Sequence, residues 1–329
     1  MMLPGSSVTD TRRRRARLIA AVAAPAAAFL VVSLLGATAA LSGTNELTVP
    51  GAGVTTMLRA VLLAAFSLQL GEAAANRLTR TIPDAPELAP RSWGLTAPVA
   101  GFAAAAGQIV VLAGDGSLAA GLTSGDLVGT YATRPGGLAL LEANGFLFAG
   151  ACIALRRPGL APAPLSLVAV GEALRAHPEA NTPLLGSLLT LIHLSAAALW
   201  AGGLVHVLRT MRLWRGRPDA ARALLRRYAR PAAALFAALA VTGTFSTLRR
   251  LPLDAVLTTA YGRALLAKLA LVAVVGALAL AARFRLHRSS DPDSPAGPVR
   301  PARAEAVALG AVILVSAVIT ALPVPAASG

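Results

Sequence analysis

LAPAPLSLVAVGEALRAH, residues 160–177, is the stretch on which the topology of this chain turns. It is apolar but short, and it carries Pro162, Pro164, Glu172 and Arg175. Eight other segments read more plainly: 18–41, 53–75, 93–114, 137–155, 184–208, 231–248, 264–283 and 303–322. Each is close to the ~20 apolar residues that a helix needs to cross the hydrocarbon of a bilayer. Charge decides whether 160–177 is a ninth, because Lys and Arg collect in cytoplasmic loops. With nine spans and the N-terminus inside, 23 basic residues fall on the inner side and 5 on the outer side. Without that span every later loop changes side, and the division becomes 14 against 14. The expectation is an all-α, polytopic transmembrane helical bundle of about nine spans in a plasma (inner) membrane. Its N-terminus is cytoplasmic and its C-terminus periplasmic or extracellular. Backbone exposed to lipid must bond within its own segment, so helix is the state these spans require.

Composition agrees. Of 329 residues, 56% are hydrophobic and only 14% charged, with a mean hydropathy of +0.66. A soluble chain of this length needs more charge to cover its surface. The net charge of +15 comes from arginines lying between apolar segments, with no aromatic-rich surface among them. That pattern orients loops across a lipid bilayer and does not point to nucleic acid. The single cysteine, Cys152, rules out an intrachain disulfide framework and a thiolate-cluster metal site. Arg12 to Arg15 and Arg17 precede the first apolar run as in a signal peptide, but the run exceeds the roughly 7–15 residues of a secretory core. It reads as an uncleaved first span. No phosphate-binding glycine loop, HExxH or CxxCH is present, nor the metal motif and phosphorylated loop of an ATP-driven pump. An enzyme is not expected.

Ionisable groups inside a membrane are costly and mark function. Arg59, Gln108, Glu142, Asn144, Glu172, His177, His193 and Lys268 all fall in the outer half of the predicted spans. Glu72, His206 and Glu305 fall near the inner interface, where long side chains reach the headgroups. The asymmetry predicts a polar cavity open to the periplasmic side. The alternative is a set of interhelical ion pairs, such as Arg59 or Lys268 with Glu142 or Glu172. Neutral imidazole suits copper, zinc, iron and nickel. His193 and Trp200, seven apart, share a helix face, and Gly202 and Gly203 beyond them allow close approach of another helix. His177 stands at the outer rim, so the two histidines read as successive stations on a path. Met57 is the one methionine placed to add a thioether. His206 joins no obvious site, and His287 lies in a predicted cytoplasmic loop.

The second half of the chain resembles a known family. AHPEANTPLLGSLLTLIHLSAAALWAGGL (176–204), RYARPAAALFAALAVTGT (227–244), TTAYGRALLAKLAL (258–271) and RAEAVALG (303–310) together are similar to the CopD family of copper resistance proteins. The matching positions are His177, His193, Trp200, Gly202, Gly203, Leu204, Arg227, Tyr228, Thr259, Tyr261, Gly262, Arg263, Leu265 and Lys268. Ala229 departs from the family's usual serine. The resemblance divides the chain into an N-terminal membrane region, 1–175, and a CopD-like membrane domain, 176–325. It implies copper uptake or copper tolerance at the inner membrane, with a separate periplasmic carrier of CopC type as partner. On this reading His177 and His193 hold a copper ion, with Met57, Glu142 and Glu172 in support. Two other readings stand beside it: a haem-binding electron-transfer protein, and a non-catalytic assembly or scaffold protein of the membrane.

Overall fold

The structure, a computed structural model, describes residues 23, 26–175, 182–250, 255–288 and 299–323. Among them every regular element is helical: α1 (Ala26–Leu41), α2 (Ala52–Thr79), α3 (Thr96–Ala113), α4 (Leu118–Thr123), α5 (Leu127–Ala132), α6 (Arg134–Ala154), α7 (Pro162–Arg175), α8 (Pro183–Leu213), α9 (Pro218–Arg250), α10 (Ala255–Thr258), α11 (Ala260–Arg288) and α12 (Val299–Thr320). Seven of these, α2, α3, α6, α8, α9, α11 and α12, are long and apolar enough to cross a membrane. The molecule is a polytopic helical bundle, as its hydropathy predicts.

The ambiguous stretch folds as α7, a helix of 14 residues, about 21 Å long at 1.5 Å per residue. Leu165, Val168, Ala169, Glu172 and Ala173 are buried, a helical spacing that turns one face into α6, α2 and α8. The last turn of α7 lies beside the first turn of α6. Arg134 Nη2 donates to the Leu174 carbonyl at 3.0 Å, and Arg175 Nη1 to the Pro135 carbonyl at 3.4 Å.

Loop contacts sort the chain into two ends. At one end Glu46 accepts from the Ala260 amide at 2.7 Å and Arg263 donates to the Ser42 carbonyl at 3.0 Å. At the other, Arg209 donates to the Arg91 carbonyl at 2.5 Å and the Trp214 indole to the Leu88 carbonyl at 2.8 Å. For residues 91 and 209 to meet, the chain between them must run the length of the bundle an even number of times. Helices α3, α6 and α8 are three such runs, and the shorter α7 turns back along α6 between them.

Three apolar cores result, the smallest formed by Ala37, Leu41, Ala260, Ala264, Val318 and Leu322. Leu62, Phe66, Phe146, Leu165 and Val168 fill the one built on α2, α3, α6 and α7. Trp200, Leu204, Leu224, Tyr228, Val275 and Leu309 fill the one built on α8, α9, α11 and α12. Helices α2 and α8 join the two larger cores backbone to backbone. A Cβ on Gly202 would lie 1.7 Å from the Ser67 carbonyl oxygen, and one on Gly71 2.1 Å from the Gly202 carbonyl carbon. The close approach predicted at Gly202–Gly203 is therefore made by α2, and only glycine fits the crossing.

The predicted span 231–248 is longer in the structure, because α9 runs from Pro218 through Pro231 to Arg250. Proline removes one backbone bond inside a helix. Ala221, Leu224, Leu225 and Tyr228, spaced at helical intervals, are buried against the second core and hold the added turns in place. The arginines between them hid this face from a hydropathy average. In the same way α12 begins at Val299, not at 303.

Candidate metal site

The polar residues predicted for the outer half do not form one cluster. They separate into two groups, in different helices and with different chemistry.

The first group is a buried quartet. Arg59 on α2 donates a short hydrogen bond to Glu172 on α7, and both are almost wholly enclosed. Arg175, at the end of α7, donates to Glu142 Oε2 on α6 at 2.8 Å, and Glu142 has no exposed surface. Gly171 makes room for this, since a Cβ there would lie 2.8 Å from Glu142 Cγ. Charge-assisted bonds of this kind are strong. The predicted ion pairing of Arg59 with Glu172 is present. Lys268, the other cation considered for it, pairs with neither carboxylate among the described residues. Met57 lies half-buried two residues before the quartet's Arg59 on α2, about 200° round the helix.

The second group lies where α8, α9 and α11 meet. His193 Nδ1 is 2.9 Å from Thr242 Oγ1 on α9. The Thr242 hydroxyl donates its single proton to the Ala238 carbonyl at 2.7 Å. With that proton on Ala238 the hydroxyl oxygen can accept from the ring, an arrangement that places the ring proton on Nδ1 and the lone pair on Nε2. A histidine oriented this way is prepared to ligate a metal through Nε2, the second partner setting the tautomer. Gly243 lies against the ring, and a Cβ there would come within 3.4 Å of Cε1. Lys268 on α11 acts electrostatically on the same ring. Among the described residues no three His, Cys, Asp or Glu side chains group as a metal site. His177 lies outside the described residues.

Two of the residues predicted near the inner interface are enclosed by protein. His206 is 2% exposed, with neither ring nitrogen bonded among the described residues. Glu305 is 5% exposed, and its Oε1 accepts from the Trp200 indole at 2.9 Å. Trp200 is also fixed by its carbonyl, which accepts from the Tyr228 hydroxyl at 2.6 Å, and by an edge-on contact with Phe236 at 5.5 Å between ring centres. The predicted shared face of His193 and Trp200 is the face that α8 presents to α9. Sequence reading missed Thr242, a hydroxyl in an apolar run with nothing local to distinguish it. It also missed the Trp200 indole as the partner of Glu305, 105 positions away in the chain.

Residues 222–319, from α9 to near the end of α12, match the family model of copper resistance protein D, CopD. The chain carries a CopD domain. No curated protein and no solved structure matches the chain. CopD proteins belong to the inner membrane and to copper resistance and transport, so this is a multi-pass inner-membrane protein of copper handling. They are not a known enzyme family, and copper is the metal the family implies. Thr242, Lys268 and Glu305 lie within the matched segment, and His193 lies on the helix just before it.

Proposed function

We propose that the chain carries copper inward across the membrane, with His193 as the intramembrane ligand. The observation that carries this reading is the Thr242 hydroxyl, whose own proton is committed to Ala238. It leaves Nε2 of His193 free to bind. Lys268 close by repels a bound cation, which keeps the affinity low enough for release. A path must bind its ion firmly enough to admit it and weakly enough to let it go. His177 is the capture residue at the outer mouth, supplied by a separate periplasmic carrier of CopC type. Met57 adds a thioether at the same end. Glu142 and Glu172 serve the path through the field of a rigid neighbouring wall, since each is held by an arginine.

The direction rests on a nine-pass topology with the N-terminus inside. The return of α7 along α6 supports it, as does the accumulation of arginine in the loops that end up together at the 88–91 and 209–214 end. Copper content and tolerance of cells carrying His193→Ala, compared with wild type, test the proposal. Uptake predicts lower copper in the variant. Equal content and equal tolerance would remove His193 from any path and favour a scaffold role.

A further inference from the structure

A cavity of about 170 Å³ opens between α8, α9, α11 and α12. The polar atoms of its wall are turned on one another: the Trp200 indole donates to Glu305, and the Tyr228 hydroxyl to the Trp200 carbonyl. What remains for a guest is apolar side chain and aromatic ring. A dry cavity of about 150 Å³ takes a guest the size of benzene, so this one has room for about six carbons of a chain. It lies towards the end of the bundle where 88–91 meets 209–214. Helix α9 starts at that end, just after Trp214, and α12 starts there too, because Ala302 and Trp214 share one core. The apolar part of α9, 231–248, is about 27 Å long and nearly matches the ~30 Å of hydrocarbon in a bilayer. Arg230 therefore enters the headgroup layer of that leaflet, and Arg226 stands about 6 Å further out.

Arg222, Arg226 and Arg230 recur at every fourth residue and form one stripe along α9. Arg226 is one turn before Ala229, and Arg230 one turn before Ala233, both on the cavity wall. On α12, Arg303 adjoins Ala302 of the same wall. Arg222 has Asp219 at 3.6 Å. Arg226, Arg230 and Arg303 are exposed and pair with no acidic side chain among the described residues. An apolar slot in the hydrocarbon, with unpaired guanidinium groups at its headgroup end, matches the two parts of an acidic lipid.

We propose that the cavity and these arginines form a binding site for one anionic phospholipid, with its phosphate on Arg226, Arg230 and Arg303 and part of an acyl chain among Trp200, Phe236 and Gly276. Guanidinium forks bind phosphate oxygens in pairs. Basic pockets between spans at the headgroup level recognise acidic lipids in this way. A phosphatidylcholine brings the same phosphate beside a choline cation, which the arginines repel, so it is the weaker guest. A helix of a second copy would bring apolar side chains without the phosphate and leave the arginines unmatched. The site does not depend on the copper-transport reading.

The test uses the full chain in lipid nanodiscs, with Trp93→Phe and Trp214→Phe leaving Trp200 as the one indole. Trp200 is 2% exposed, so bromine on an acyl chain quenches it only from within the cavity. Brominated phosphatidylglycerol is expected to quench it about twofold more than brominated phosphatidylcholine at the same mole fraction. Arg226→Gln, Arg230→Gln and Arg303→Gln together are expected to remove the difference. Arg77→Gln, Arg80→Gln and Arg156→Gln, which take the same charge from other parts of that end, are expected to keep it. Arg226→Lys, Arg230→Lys and Arg303→Lys keep the charge and are expected to retain most of the difference, which separates a lost headgroup site from a misfolded chain. Ala279→Leu narrows the cavity and is expected to lower quenching by both lipids. Equal quenching by the two lipids, or equal loss in the two glutamine sets, overturns the site. So does a Trp200 that neither lipid quenches, which would mark the cavity as closed to lipid and filled by protein.

Discussion

In the half of the bundle built by α2, α6 and α7, Arg59 faces Glu172 and Arg175 faces Glu142. In the half built by α8, α9, α11 and α12, His193, Lys268 and Glu305 meet no ion of opposite sign among the described residues. Both halves place polar groups inside an apolar bundle, but only the first pairs charge with opposite charge, and even there Arg59 Nε, Glu142 Oε1, Glu172 Oε1 and Arg175 Nε lack hydrogen-bond partners among the described residues. A closed set of charges has no attraction left for a mobile ion, so it acts as framework. The open set holds a ring nitrogen on His193 and a carboxyl on Glu305 whose partner is the neutral Trp200 indole. The family match falls on the open half.

The contrast breaks most sharply at the quartet. Arg59→Ala strands the buried Glu172 carboxylate and is expected to cost about 3–5 kcal/mol, read as a lower melting midpoint in detergent. Removing both charges, as Arg59→Met with Glu172→Gln, should restore most of that loss. A single variant as stable as wild type would mean the pair is not structural.

The seam between the halves comes next. Gly202→Ala forces a methyl into the Ser67 carbonyl and should cost about 1–3 kcal/mol by parting α2 from α8. An unchanged midpoint would show that the two helices are not in contact there.

In the open half the effects on stability should be small and those on metal large. Thr242→Val removes one hydrogen bond, worth about 1 kcal/mol, yet frees the His193 proton to move between its nitrogens. Copper accumulation should fall towards that of His193→Ala, while Thr242→Ser, which keeps the hydroxyl, should behave as wild type. If Val and Ser variants accumulate copper equally, the tautomer has no part in the function. The smallest effect is expected at His206. Both its ring nitrogens lack partners among the described residues, so His206→Leu should be neutral or stabilising by up to about 1 kcal/mol. A marked destabilisation would reveal a buried partner and move His206 into the set of satisfied groups.

The sequence by itself determined that the chain is a helical membrane bundle, because hydropathy and the placement of arginine follow from the cost of burying polar groups in lipid, residue by residue. It also showed that Gly202–Gly203 admits a neighbouring helix and that His193 and Trp200 share a face, since helical periodicity is local. Only the tertiary structure decided which charges meet. Arg59 and Glu172 are 113 positions apart, and Trp200 and Glu305 are 105 apart. Whether Glu142 serves an ion or an arginine depends on which helix lies beside it. The reach of α9 through Pro231 was likewise a tertiary outcome, because the burial of Leu224 and Tyr228 outweighs a missing backbone bond. Periodicity tells a residue which way it faces along its own helix, and packing alone tells it what it faces.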